Sequence, residues 1–145
     1  MILPDVNTLV YAFHRDAVGH DRYADWLSAV LAGSEPLMLA DVVLTGFLRV
    51  VTNRRIFTDP APMQAALSFV EVLRAAPVSS ALSPSDATWR QFARFVNEDS
   101  YLIGNLVPDA WIAALAVTSG ARVATADAGY ARFSGLRWFD PGRSH

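Results

Sequence analysis

Four aspartates, Asp5, Asp41, Asp109 and Asp127, each fall where one sequence pattern gives way to another. Met1-Ile-Leu-Pro-Asp5 is a short apolar run ended by a carboxylate, with Asn7-Thr8 directly after it. Asp41 follows the run Pro36 to Ala40, Asp127 follows Arg122 to Thr125 after one residue, and Asp109 follows Pro108 ahead of an Ala-rich stretch. Taken singly, three have an ordinary use. Asp41 and Asp127 suit helix N-caps, and Asp109 suits the first turn of a helix, where a negative charge meets the positive end of the dipole. Asn7 and Thr125 have equally plain uses, as a helix cap and a strand-end residue. Asp5 is harder to dismiss, because a carboxylate closing a buried apolar strand is costly without a partner.

Taken together, the four point to a divalent cation. Two carboxylates about 5 Å apart repel by about 3 kcal/mol at an effective dielectric near 20. Something must offset that repulsion, and the twelve basic residues are all Arg, with no Lys. A guanidinium is too bulky to fill the middle of such a cluster. A hard cation, Mg²⁺ or Mn²⁺, suits an all-oxygen donor set. Its chemistry is the acidification of a water and the stabilisation of charge on a scissile phosphate, which makes phosphodiester hydrolysis the reaction class.

The elements that must position these residues alternate between short strands and helices. Ile2 to Asp5 reads as a buried strand, and Thr8 to Phe13 as a short helix that Asn7 can cap. Tyr23, Trp26, Leu27, Val30 and Leu31 repeat at helical spacing over Arg22 to Ala32, and Gly33 ends that helix. Pro36 to Ala40 is a second strand. A helix from Asp41 to Val51 follows, with Asp41, Thr45 and Arg49 on one polar face. Asp59-Pro60 is expected to open a helix that runs to about Ala75. Pro77 to Leu82 is a third strand, and Ser83-Pro-Ser-Asp86 opens a helix carrying Trp89, Phe92, Phe95 and Val96. A loop over Asn97 to Val107 leads to a helix over Ala110 to Thr118. Arg122 to Thr125 is a fourth strand, Asp127 heads a short helix through Phe133, and Leu136 to Phe139 is a fifth strand. This alternation predicts an α/β fold, a parallel sheet of four or five short strands with helices on both faces. In such sheets ligands bind beyond the carboxyl ends of the strands, where Asp5, Asp41 and Asp127 are expected.

Composition narrows the class. At 145 residues, 1–145 is expected to form one domain with a real core. No apolar run is long enough to span a bilayer, and no basic segment precedes an apolar one in the manner of a signal peptide. Apolar residues make up 52% of the chain, a surplus that predicts burial against a second copy or a partner protein. The absence of cysteine excludes disulfides, thiolate metal sites and cysteine nucleophiles, and suits a cytoplasmic location. With a net charge of −2, nucleic-acid contact must come from local clusters such as Arg49, Arg54 and Arg55, which read equally as a solvated basic helix end or as a set of phosphate contacts.

Four stretches carry a family resemblance. Pro4-Asp5-Val-Asn7, Gly46-Phe-Leu-Arg-Val-Val-Thr-Asn53, Gly104-Asn-Leu-Val-Pro-Asp109-Ala and Thr125-Ala-Asp127 resemble the VapC-type PIN-domain toxins, in the same order and across nearly the whole chain. The resemblance implies a three-layer α/β/α PIN-like fold and Mg²⁺-dependent endoribonuclease activity on RNA such as a tRNA or ribosomal loop. It also implies neutralisation by a VapB-type antitoxin, and a homodimer. Asp5, Asp109 and Asp127 match the acidic ligands of that family, and Asn7 and Thr125 its supporting polar positions. The second acidic position departs from the pattern. Where the family carries a helix of the Thr-Glu-x-x-x-Arg type, this chain reads Val43-Leu-Thr-Gly-Phe47, and Asp41 one turn earlier is the nearest acid.

Other readings stay open beside this one. Asp5-Val-Asn-Thr8 faintly resembles the opening of haloacid-dehalogenase-like phosphatases, but Asn7 replaces their second Asp and no Lys is present. A receiver-like signalling module lacks its Lys for the same reason. A PIN-like domain kept for binding, its site impaired by the missing Glu, is the non-enzymatic alternative. His14 and His20 are expected at the surface or in caps, and Trp26, Trp89, Trp111 and Trp138 in the core or an interface.

Overall fold

The computed structural model describes residues 1–143. Its centre is a five-stranded, wholly parallel sheet of β1 (Ile2–Pro4), β2 (Leu37–Leu39), β3 (Ser79–Ala81), β4 (Arg122–Ala124) and β5 (Trp138–Phe139), in the order β3-β2-β1-β4-β5. The strands are short because only two or three residues of each fill the width of the sheet. Leu3, Leu37 and Val123 are completely enclosed.

Six helices supply the crossovers. These are α1 (Val6–Phe13), α2 (His20–Ala32), α3 (Asp41–Val51), α4 (Met63–Ala75), α5 (Asp86–Glu98) and α6 (Val107–Ser119). The first two crossovers step outward from β1 to β2 to β3, and the third returns past β1 to β4. Right-handed crossovers then place α1 to α4 on one face and α5 and α6 on the other. The packing agrees. Phe13, Phe47 and Phe69 tie α1, α3 and α4 together, and Trp111 of α6 packs on Trp89 and Phe92 of α5. The result is the expected three-layer α/β/α architecture with five strands.

Several boundaries differ from the sequence reading, three of them for a plain local reason. α1 starts at Val6, and its N-cap is Asp5, whose side chain accepts from Thr8 N; Asn7 lies inside the first turn, exposed. α4 starts at Met63 and not near Asp59, because Pro60 and Pro62 push Asp59 and Ala61 out of the helical region. α6 begins three residues early, with Pro108 in its first turn, and ends at Gly120 in the left-handed conformation that glycine permits.

The topology fixes where function should sit. Strand order reverses between β1 and β4, since β1 feeds one face and β4 is reached over the other. Their carboxyl ends border the crevice where open α/β sheets bind ligands.

Candidate active site

β1 and β4 pair in the register Ile2–Arg122, Leu3–Val123 and Pro4–Ala124, so the next residues in line are Asp5 and Thr125. Asp5 N donates to Ala124 O (3.1 Å) and Thr8 Oγ1 also donates to Ala124 O (2.8 Å), pinning the start of α1 to the end of β4. The Asp5 carboxylate is 5% exposed and both its oxygens are engaged. Oδ1 accepts from Thr8 N at 2.9 Å and Oδ2 accepts from the Thr125 hydroxyl at 2.5 Å. Thr125, itself fully buried, accepts from Asp127 N (3.0 Å), so one hydroxyl links Asp5 to the backbone at Asp127.

Asp127 caps a 3-10 turn, Ala128–Arg132, its Oδ1 accepting from Gly129 N at 2.8 Å. That turn carries Tyr130, which is 1% exposed and donates its hydroxyl to Asp109 Oδ1 at 3.1 Å. Asp109 is the third residue of α6, brought to the crevice by the loop and 3-10 turn (Gly104–Leu106) before it. A single turn thus presents Asp127 directly and orients Asp109 through Tyr130.

Charge accumulates here. Burial raises the pKa of the Asp5 carboxyl above its ordinary value, opposed by the hydrogen bonds from Thr125 and Thr8 and reinforced by the Asp109 charge. Asp109 is raised too, chiefly by burial and then by Asp127, with Arg132 and the Tyr130 hydroxyl acting the other way. Tyr130 is held firmly protonated by burial and by the charges of all three aspartates, so it remains a donor. Arg132, the cation nearest Asp109 in effect, is also 3.9 Å from Asp99.

Asp41 is not brought to this group. It is the exposed first residue of α3 and lines a separate groove of about 120 Å³ with Arg74 and Ser79 to Ala81. Its charge is not among those acting on Asp109 or Tyr11, another residue beside the cluster. Its helix also explains the missing acid at the second family position. A Cβ on Gly46 would come within 2.8 Å of Val6 Cγ2, so the close crossing of α1 and α3 leaves no room for a side chain there.

The remaining sequence candidates are accounted for. Asn7 is exposed on α1 beside the cluster. Arg49, Arg54 and Arg55 are exposed at and after the end of α3 and form no ion pair with a described residue. His14 is buried against Phe57 and bridges Asp59 O and Asp16 N, and His20 meets Tyr11 O, so both histidines serve the framework. Trp89 is 61% exposed and so lies outside the core. Sequence reasoning missed Tyr130 and Thr8. The signal for Tyr130 was its place three residues after Asp127, the i+3 spacing of a 3-10 turn.

The donor set fits a hard divalent cation. Asp5, Asp109 and Asp127 are oxygen donors whose charges burden one another, and Asp109 Oδ2 and Asp127 Oδ2 accept no hydrogen bond from a described residue. Among the described residues, no three acidic or imidazole side chains yet close to ligating distance, so the carboxylates would have to draw together around an ion.

Comparison with known proteins identifies the family and the fold. The PIN domain family profile matches residues 2–136. VapC ribonuclease Mb2897 of Mycobacterium bovis is 43% identical, across 100% of this chain and 99% of its own length. Ribonuclease VapC25 of Mycobacterium tuberculosis is 35% identical, across 97% of this chain and 99% of its own. Among solved structures, a chain of VapBC2 from Rickettsia felis, bound to a DNA fragment from its promoter, superposes with a TM-score of 0.71 at 17% identity, covering 97% of this chain and 98% of that one. VapC20 of Mycobacterium tuberculosis, described as a Sarcin-Ricin loop cleaving toxin, does so with a TM-score of 0.66 at 15% identity, over 94% of this chain and 99% of its own. By fold, by the order of its motifs and by full-length similarity, this chain belongs to the PIN-domain family, alongside the VapC ribonucleases.

Proposed function

We propose that this protein is a Mg²⁺-dependent endoribonuclease, the toxin of a type II toxin–antitoxin pair, neutralised by a VapB-type antitoxin. The observation that carries the reading is the grouping of Asp5, Asp109 and Asp127 at the β1/β4 switch point, each carboxylate oriented by a dedicated donor. Ribonuclease activity in relatives 43% and 35% identical over nearly the full chain supports RNA as the substrate.

Mg²⁺, or Mn²⁺ in its place, would be held by Asp5, Asp109 and Asp127 and would supply charge stabilisation at the scissile phosphate and a more acidic attacking water. The chain's own residues do the rest. Thr125 and Thr8 hold Asp5 in one rotamer, Tyr130 aims Asp109, and Asn7 offers an amide at the mouth of the crevice. Arg49, Arg54 and Arg55 hold the RNA backbone at a distance from the acids, where they are not captured by them. A tRNA or a ribosomal loop suits recognition by shape, since no base-reading pattern is present. Exposed apolar side chains such as Ile56, Tyr101 and Ile103 give an antitoxin or a second copy surface to cover. No helix among the described residues is long and apolar enough to cross a membrane.

The test is incubation of pure protein with structured RNA in Mg²⁺, in EDTA, and with Asp5→Ala. Cleavage lost in both controls supports the reading; activity that survives EDTA points to a contaminant. No cleavage with any metal favours a PIN-like binding module, the reading that the missing acid at Gly46 favours. Growth arrest on expression, relieved by a co-expressed neighbouring reading frame, tests the toxin assignment separately.

A further inference from the structure

Tyr11 belongs to the same crevice but to none of the roles described so far. It lies one helical turn after Asn7 on α1, so the two share a face of the helix that Asp5 caps. Its ring packs on Tyr23, whose hydroxyl reaches Asp140 directly after β5, and the charges of Asp5, Asp127 and Asp140 all act on its phenol. The ring is held from behind. Its centroid is 5.1 Å from that of Tyr23, and Tyr23 is buried and donates to Asp140 Oδ1 at 2.8 Å. The same oxygen accepts from Gly142 N, and a Cβ on Gly142 would come within 2.5 Å of Tyr23, so the last turn of the described chain closes tightly over that ring.

The buttressing leaves the Tyr11 hydroxyl without work inside the protein. Tyr23 and Tyr130 both spend their hydroxyls on aspartates, whereas that of Tyr11 bonds to no described residue and is not sealed from solvent. A neutral donor is what an anionic substrate needs at this point. An arginine beside the cluster would be drawn onto the aspartates, but a phenol and an amide can donate to phosphate or ribose without being captured.

We propose that Tyr11 is a substrate-binding residue, its hydroxyl donating with the Asn7 amide to the sugar–phosphate backbone of RNA beside the three aspartates. This inference rests on the ribonuclease reading above. It adds α1 to the RNA-contacting surface that Arg49, Arg54 and Arg55 supply at and after the end of α3.

Steady-state cleavage of an RNA hairpin in Mg²⁺ tests it, comparing the parent with Tyr11→Phe and Tyr11→Leu, alongside Mn²⁺ affinity and thermal midpoint. Tyr11→Phe keeps the packing on Tyr23 and removes one hydrogen bond, so KM rises about tenfold while kcat stays within about twofold. Its Mn²⁺ affinity and midpoint match the parent, a pattern a structural role would not give. Tyr11→Leu adds a lower midpoint through lost contact with Tyr23. An active parent whose KM is unchanged in Tyr11→Phe overturns this inference and leaves the ribonuclease reading standing. A change in KM that merely follows weakened Mn²⁺ binding overturns it too. A parent that leaves RNA intact overturns both.

Discussion

The Tyr130 hydroxyl donates to Asp109 Oδ1 at 3.1 Å from a turn whose cap is Asp127. Two carboxylates that are 18 residues apart in sequence are therefore set by one short element. Tyr130 acts through Asp109 and is a positioning residue. Tyr130→Phe keeps the ring in its buried slot and frees the Asp109 carboxylate to rotate. Mn²⁺ affinity should fall about fivefold to tenfold, while stability in EDTA changes by no more than about 1 kcal/mol, the worth of one hydrogen bond. Calorimetric titration with Mn²⁺ measures the first and urea unfolding the second. Affinity equal to the parent would remove Tyr130 from the site.

The buried Asp5 makes the metal-free protein sensitive to pH. Burial raises its carboxyl above the unfolded value near 3.8, so the folded chain holds that proton more tightly than the unfolded one. Stability is then greatest below the unfolded value and falls as pH rises through the folded one. In EDTA the urea midpoint should drop as pH rises above the unfolded value near 3.8, with Asp5→Asn flattening the drop. An identical slope in Asp5→Asn would show that the ionised carboxylate is not the cause. Saturating Mn²⁺ at one hundred times its Kd should restore about 2.7 kcal/mol by mass action.

Gly46 sits where α3 crosses α1 most closely. In Gly46→Ala the new methyl meets Val6 Cγ2, and a β-branched side chain in a helix has essentially one rotamer and cannot turn away. Overpacking of this kind costs about 1–3 kcal/mol, against a gain of about 1 kcal/mol in helix propensity. Net destabilisation is expected in urea unfolding, together with weaker RNA cleavage, because Val6 lies between Asp5 and Asn7. A stabilised Gly46→Ala with full activity would contradict the close crossing.

Much of this arrangement was legible in the sequence because it depends on local rules. Apolar runs of strand length ending at Asp5, Ala40 and Thr125, each followed by helical spacing, were enough to give a parallel α/β sheet and to place Asp5 at its edge. Other features were not legible. Asp41 follows β2 as Asp5 follows β1, and nothing local separates them; only the strand order puts Asp5 at the reversal and Asp41 beside Arg74 and β3. The roles of Tyr130 and Tyr11 depend on contacts between elements distant in sequence, as does the steric reason for Gly46. The start of α4 was misplaced because the cap signal at Asp59 was weighed without the second proline at Pro62.

The most direct test of the account is Mn²⁺ titration of the parent and of four single variants, Asp5→Asn, Asp109→Asn, Asp127→Asn and Asp41→Asn. The first three should each weaken binding by about tenfold or more, the usual scale for losing a ligand or its support, and Asp41→Asn should match the parent within about twofold. A loss in Asp41→Asn equal to that in the others, or unchanged binding in Asp109→Asn, would contradict a centre built from Asp5, Asp109 and Asp127.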